Sequence, residues 1–392
     1  MVLLCLPAFA LLPGCRLAPV QNSQISMNWA ALTDLPGKGV SAPFAGLHEN
    51  KLIVAGGCNF PDRPVTEGGA KKYYDTVYVL DTANGFSSGW EAAGTFPYPV
   101  AYGAAVSVPQ GVACIGGNNQ AGAFTEAWLL RWDDSEKKVL LTPLPSLPVS
   151  ADNTSAAAIG ATIYVAGGNL NGRPGNALFC LDTDSPENGW QELPPMPGAA
   201  RVQPVAIAQQ TPEGMQLFVA GGFQPVQGDE PPVVSADLIA YDPATNRWRT
   251  VSPLMPLPGN EPRTVTGGCG VALGDSLLLF AGGVNYERFF TALDRDRLKR
   301  IAAEKGNTAG TDSLTQAGKA YMLQPPEWYK FNTELITYNT FTGEWKSIGH
   351  GEQAARAGAG AVLHNRTLIL INGELKPGIR TPQVNKTGLL PE

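Results

Sequence analysis

The sequence predicts an all-β fold, a six-bladed β-propeller made from one divergent repeat used six times. Three observations predict it. A short apolar strand ending in a Gly pair recurs along the chain, each copy has three further strand candidates around it, and the two chain ends supply complementary parts of one last unit. The five plain copies are residues 52–57 (LIVAGG), 112–117 (VACIGG), 163–168 (IYVAGG), 217–222 (LFVAGG) and 278–283 (LLFAGG). An altered sixth copy, 368–373 (LILING), replaces the pair by Asn372-Gly373 and is followed by Glu374.

Each copy keeps the same company. An Ala/Gly-rich strand with small residues precedes it (101–108, 155–159, 202–208), and an aromatic or β-branched strand follows (76–80, 127–132, 177–181, 238–241). A Trp-started strand running into Pro completes the unit (90–97, 190–197, 248–253). Four strands are the content of one propeller blade. From Gly57 through Gly117, Gly168 and Gly222 to Gly283 the intervals are 60, 51, 54 and 61 residues, near the kelch period of roughly 50. The Gly pair ends the second strand near the hub, where a Cβ would strike the neighbouring blade or force an unfavourable φ. These glycines are expected to hold the fold and do no chemistry.

The interval from Gly283 to Gly373 is 90 residues, too long for one blade. Its excess falls at 286–328, where 293–305 carries apolar residues at helical spacing amid dense charge. That predicts a helical insertion in a loop, not a second domain, with strands resuming at 333–338 and 344–345. The final unit begins near Ala357 and stops without a Trp strand, while 27–36 (MNWAALTDLP) looks like an outer strand lacking its first three. Pairing the two would seal the ring and remove a free edge.

Composition sets further bounds. Of 392 residues 44% are hydrophobic and 16% charged, with 45 Gly and 33 Pro punctuating short strands. The net charge of −6 and the absence of a basic stripe argue against a nucleic-acid partner. Residues 1–19 read as an export leader: 2–12 is apolar and too short to span a bilayer, and Leu12-Pro13-Gly14-Cys15 is placed as a lipoprotein-type cleavage box. No Lys or Arg precedes the apolar run, and Pro13 is unusual inside such a box. The expected location is periplasmic, free or held by a lipid on Cys15, with the propeller filling 20–392 and no membrane span in it. Cys58, Cys114, Cys180 and Cys269 have no metal-type spacing and read as small buried strand residues, with one disulfide left open.

Propeller chemistry belongs to the loops of the faces and hub. His48, His350 and His364 form no cluster and none follows a Gly pair, so no metal and no cofactor is called for. The unusual segment is 371–381, where Glu374 follows the altered pair and Lys376 and Arg380 flank a Pro-Gly turn. Two readings stand: a loop salt bridge, or a carboxylate base beside a guanidinium that binds an anionic substrate.

Asn372-Gly373-Glu374-x-Lys376-Pro377-Gly378-x-Arg380-Thr381 resembles the signature of the N-acetylneuraminate epimerase (sialic acid mutarotase) family of kelch propellers. Residues 41–46 (SAPFAG), 55–60 (AGGCNF), Ala101-Tyr102-Gly103 and 282–285 (GGVN) before a helical insertion are also similar to that family, so the likeness spans nearly all of the chain after the leader. The order is rotated: in better-known members the glutamate signature lies mid-chain and the unit like 44–81 lies near the C-terminus. This resembles a cyclically permuted branch, whose members need not share the ligand. The resemblance implies interconversion of sugar anomers by ring opening, with Glu374 as general base and Arg380 orienting the anionic sugar. Asn59, Tyr102, Asn118, Arg201, Arg263 and Asn285, beside the Gly pairs or in inner-strand positions, are weaker substrate-binding candidates, each at least as well placed to satisfy local backbone groups. The alternatives are a non-catalytic carbohydrate-binding propeller and a kelch module that binds a protein. The last is disfavoured because such modules usually accompany other domains.

Overall fold

The computed structural model describes residues 27–83 and 85–389; the leader expected at 1–19, with Cys15, lies outside them. The chain is mostly β with two helices, and its largest elements are six four-stranded antiparallel sheets. The first runs Phe44–His48, Lys51–Ala55, Thr76–Asp81, Glu91–Thr95. The innermost strand of each sheet lies against that of the next. These strands are Phe44–His48, Ala104–Val108, Ser155–Ile159, Val205–Thr211, Cys269–Leu273 and Gly360–His364, and the last returns to the first. The arrangement is consistent with propeller blades.

Small residues let these strands converge. A Cβ on Gly46 would sit 2.6 Å from Val112, and one on Gly360 2.7 Å from Ala45. Between successive sheets lies one apolar cluster, such as Phe44, Ile53, Phe96, Val112, Leu130 and Trp132 between the first and second. Ala45, Leu52, Val54, Val362, Ile369 and Ile371 fill the wedge between the sixth and first. The outer-strand tryptophans tie each sheet to the one before: the indole N–H groups of Trp190 and Trp248 donate to Pro145 and Pro194 carbonyls at 2.7 Å.

The Gly pairs join consecutive sheets. The second glycine's N–H donates to a carbonyl of the next sheet: Gly57 to Val100 (2.8 Å), Gly117 to Ala151 (2.8 Å), Gly168 to Arg201 (2.8 Å), Gly283 to Arg356 (3.0 Å). Gly373 donates to Val40 (3.0 Å), carrying the same link across the seam, and Gly222 uses the Thr266 hydroxyl instead. Asn372 takes the place of a first glycine at φ +57, a left-handed conformation that Asn tolerates better than most residues.

Two residues after each of these carbonyl acceptors, and directly after Thr266, a second ring forms. Ala42, Tyr102, Asn153, Gln203, Gly267 and Gly358, one per sheet, all have positive φ. Each N–H donates to the carbonyl of the preceding member at 2.6–3.1 Å, and Ala42 donates to Gly358. Six backbone hydrogen bonds therefore encircle the mouth of a central cavity of ≈180 Å³ lined by all six residues.

The N-terminal strand Trp29–Ala31 pairs antiparallel with Val384–Gly388, Trp29 opposite Thr387, so the last sheet draws strands from both chain ends. The insertion is larger than its periodicity predicts. Helix α1 (Tyr286–Glu304) is capped by the Asn285 side chain, which accepts the Arg288 N–H, and a second helix, α2 (Thr308–Leu323), packs back on it. No helix among the described residues is long and apolar enough to cross a membrane. Cys58, Cys114, Cys180 and Cys269 are all free thiols.

Candidate active site at the hub mouth

The residue after each Gly pair stands beside the ring of six. Cys58, Asn118, Phe223 and Glu374 each bridge to the residue preceding a ring member, at Ser41, Ala101, Val202 and Ala357. Glu374 exchanges both backbone hydrogen bonds with Ala357 (2.7 and 2.9 Å), which fixes its carboxylate at the rim. Behind it, buried Arg356 donates to the carbonyls of Asn372 (2.9 Å) and Gln383 (3.2 Å) and so braces the loop. Burial brings the Arg356 guanidinium down to about 10.

Glu374 and Arg380 face each other across a two-stranded hairpin, Glu374–Lys376 with Ile379–Arg380. Their side chains approach to 3.3 Å, and the Gly378 N–H donates to Glu374 Oε1 at 2.6 Å. The Arg380 side chain is only 5% exposed, yet its Nε and Nη1 have no hydrogen-bond partner. A guanidinium buried with open donors is costly unless an anion completes it. Burial pushes the Glu374 carboxyl above its ordinary value, against Arg380, the Gly378 N–H and Lys71, which favour the anion. About a fifth of that side chain (22%) still meets solvent, enough for a ligand to reach it.

Other sheets complete the space. Phe60 stacks 5.0 Å from the Arg380 guanidinium, and Lys71 lies 6.0 Å from the same ring. The Lys71 ammonium is 3.3 Å from the Tyr102 hydroxyl and 4.9 Å from its ring, and the Cys58 thiol donates to that hydroxyl at 3.3 Å. The helical insertion adds an aromatic wall. Tyr321 packs on Tyr329 (5.1 Å) and Trp328 (5.8 Å), Arg288 lies 3.9 Å over Trp328, and both tyrosines feel the Glu374 charge.

Of the eight residues singled out from sequence, Glu374, Arg380 and Tyr102 come together here. Asn118 stands on the same rim, its side-chain oxygen buried without a partner. The rest are engaged elsewhere. Asn59 donates to the Gly39 carbonyl (2.8 Å) and accepts from Tyr74 (2.9 Å), and Arg201 makes a two-pronged pair with Asp237 (2.8 and 2.9 Å). Arg263 pairs with Glu334, and Asn285 caps α1; both line a second cavity, which Glu334 and Leu375 of the Glu374 hairpin also border. Lys376 turns away from the carboxylate and donates to the Gln324 carbonyl (2.6 Å) just past the end of α2, tying the insertion to the Glu374 hairpin. Sequence reasoning missed Lys71, which stands in a Lys-Lys pair outside every repeat.

The family model described as N-acetylneuraminate epimerase matches residues 9–139 and 144–391. A protein named N-acetylneuraminate epimerase from Haemophilus influenzae (strain PittEE) is 34% identical over 244 residues, 62% of this chain and 58% of its own length. One of the same name from Salmonella paratyphi B (strain ATCC BAA-1250 / SPB7) is 32% identical over 241 residues, 61% of this chain and 57% of its own. The chain thus spans less than two thirds of the curated relatives it matches. Among solved structures, one titled "Structure of YjhT" superposes with a TM-score of 0.59 at 15% identity, over 91% of this chain and 95% of that one, a likeness of fold. With a match that runs through all six sheets and the Glu374 hairpin, the chain belongs to the N-acetylneuraminate epimerase family.

Proposed function

We propose that this six-bladed, kelch-type propeller interconverts the anomers of N-acetylneuraminate or a related acidic sugar. The carrying observation is the 3.3 Å ion pair of Glu374, the only carboxylate of the rim positions after the Gly pairs, with Arg380, a guanidinium 5% exposed whose Nε has no hydrogen-bond partner. Arg380 would hold the sugar carboxylate. Glu374 would take the proton of the anomeric hydroxyl, the ring C–O bond would break, and rotation before reclosure would deliver the other anomer. The relatives' names and the family membership support this substrate class. The rotated order of units is part of the same reading: alignments in chain order reach only 62% of this chain, as they do when two ends have been exchanged.

The test is direct. Freshly released α-anomer of N-acetylneuraminate is mixed with the protein, and anomer exchange is followed by NMR; exchange faster than buffer is expected, and a rate equal to buffer overturns the enzyme reading. A sugar-binding propeller without catalysis would then show calorimetric binding alone. The reading includes export, to the periplasm or to a lipid anchor on Cys15, supported by the apolar stretch at 2–12. Fractionation of expressing cells should find the protein outside the cytoplasm; recovery in the cytoplasmic fraction would rule export out.

A further inference from the structure

One member of the mouth ring is an expensive choice. Ala42, Gly267 and Gly358 close the same backbone hydrogen bonds with little or no side chain, whereas Tyr102 holds an aromatic residue at φ +63. A bulky residue in that region is strained, and the ring's backbone bonding does not need it. Its side chain supplies a reason. The phenol oxygen has two lone pairs, and two donors reach it, the Cys58 thiol and the Lys71 ammonium, each at 3.3 Å. Its own O–H is left to point elsewhere, and Tyr102 lines the central cavity.

Lys71 is held for this task. Its ammonium sits over the rings of Tyr102 (4.9 Å), Tyr73 (5.9 Å) and Phe60 (6.0 Å), and no carboxylate pairs with it among the described residues. Phe60, flanked by Lys71 and Arg380, joins the Tyr102 corner to the Glu374 hairpin. Burial first, then Cys58, keeps the phenol protonated; Arg380 opposes this and Glu374 adds to it. A donor is therefore present throughout the neutral range.

The geometry points to the Tyr102 hydroxyl as the proton donor to the sugar's ring oxygen, with Lys71 as the positioning residue that orients it. This rests on the anomer-exchange reading above. Glu374 takes the anomeric hydroxyl proton, and the freed electron pair becomes the second bond of the ketone. The ring C–O bond breaks, and its oxygen takes the Tyr102 proton. The phenolate left behind is held by the Lys71 ammonium, 3.3 Å from the oxygen. Reclosure on the other face runs both transfers backwards, so neither the residues nor the sugar undergoes net proton gain or loss.

Anomer exchange of N-acetylneuraminate, followed by NMR across a range of sugar concentrations, separates kcat from KM. Tyr102→Phe should lower kcat by about 10²–10⁴-fold, the usual worth of one general acid, and leave KM within about threefold. Lys71→Met should lower kcat by about tenfold or more at little-changed KM, since it loosens the donor and not the sugar. Tyr102→Gly, which also relieves the backbone, should be as slow as Tyr102→Phe. Wild-type kcat in either Tyr102 variant, or a Lys71→Met effect confined to KM, overturns the proposal while the enzyme reading stands. A wild-type protein no faster than buffer would remove both, and that control tells the two failures apart.

Discussion

Replacing Glu374 with Gln is expected to slow anomer exchange at saturating N-acetylneuraminate by about 10²–10⁴-fold, or roughly 3–5 kcal/mol of barrier. Gln keeps the volume of the side chain and can still accept the Gly378 N–H that Oε1 holds at 2.6 Å, so the hairpin opposite Arg380 is retained. What it loses is the capacity to take a proton. The pH dependence gives a second readout. Burial raises the Glu374 carboxyl above its ordinary 4.5, so the base form is present only above that raised value. The wild-type rate should fall as pH drops, with a midpoint above 4.5, and the Gln variant should lack that limb. Arg380, Lys71, Tyr102, Cys58, Tyr321 and Tyr329 are the titratable or charged groups acting on it. A Gln variant within about twofold of wild type would remove Glu374 from the chemistry.

Gly116→Val should lower folding stability by about 2–5 kcal/mol, the sum of a left-handed backbone and overpacking. Gly116 has φ +60, and a Cβ there would lie 2.3 Å from the Ala151 carbonyl oxygen of the next sheet. That carbonyl is already bound by the Gly117 N–H at 2.8 Å, so backbone would have to move on both sides. Gly160 isolates the first term: its φ is +61, but nothing lies within 4 Å of its added Cβ. Gly160→Ala should therefore cost only about 1–2 kcal/mol. The midpoint of urea unfolding at unchanged slope measures both. Equal shifts would mean the Gly pairs matter for φ alone and do not fasten sheet to sheet.

Much of the scaffold was legible because it is periodic. A Gly pair every 51–61 residues marks where one sheet must approach the next, and a missing outer strand at one end with a spare one at the other predicts that the two ends pair, as Trp29–Ala31 does with Val384–Gly388. The insertion was legible only in part. Residues 308–323 hold three Thr and two Gly and lack a strong apolar stripe, so propensity does not announce α2. It forms because the Asn307 side chain accepts the Gly310 N–H, because it packs on α1, and because Lys376 accommodates its end.

Local sequence determined the repeat, the seam and the Glu374–Arg380 pair, since each depends on residues near in chain or on a pattern used six times. Only the tertiary structure decided which polar side chains are free for chemistry. Arg201, Arg263 and Arg380 look alike as loop arginines and each meets a carboxylate, but Asp237 and Glu334 stand away from the rim, whereas Glu374 sits on it. Lys71 and Tyr102 are 31 residues apart, and Glu374 lies in another sheet altogether. They share one space because a closed ring turns the same loop of every sheet toward one axis, a juxtaposition that no spacing along the chain can express.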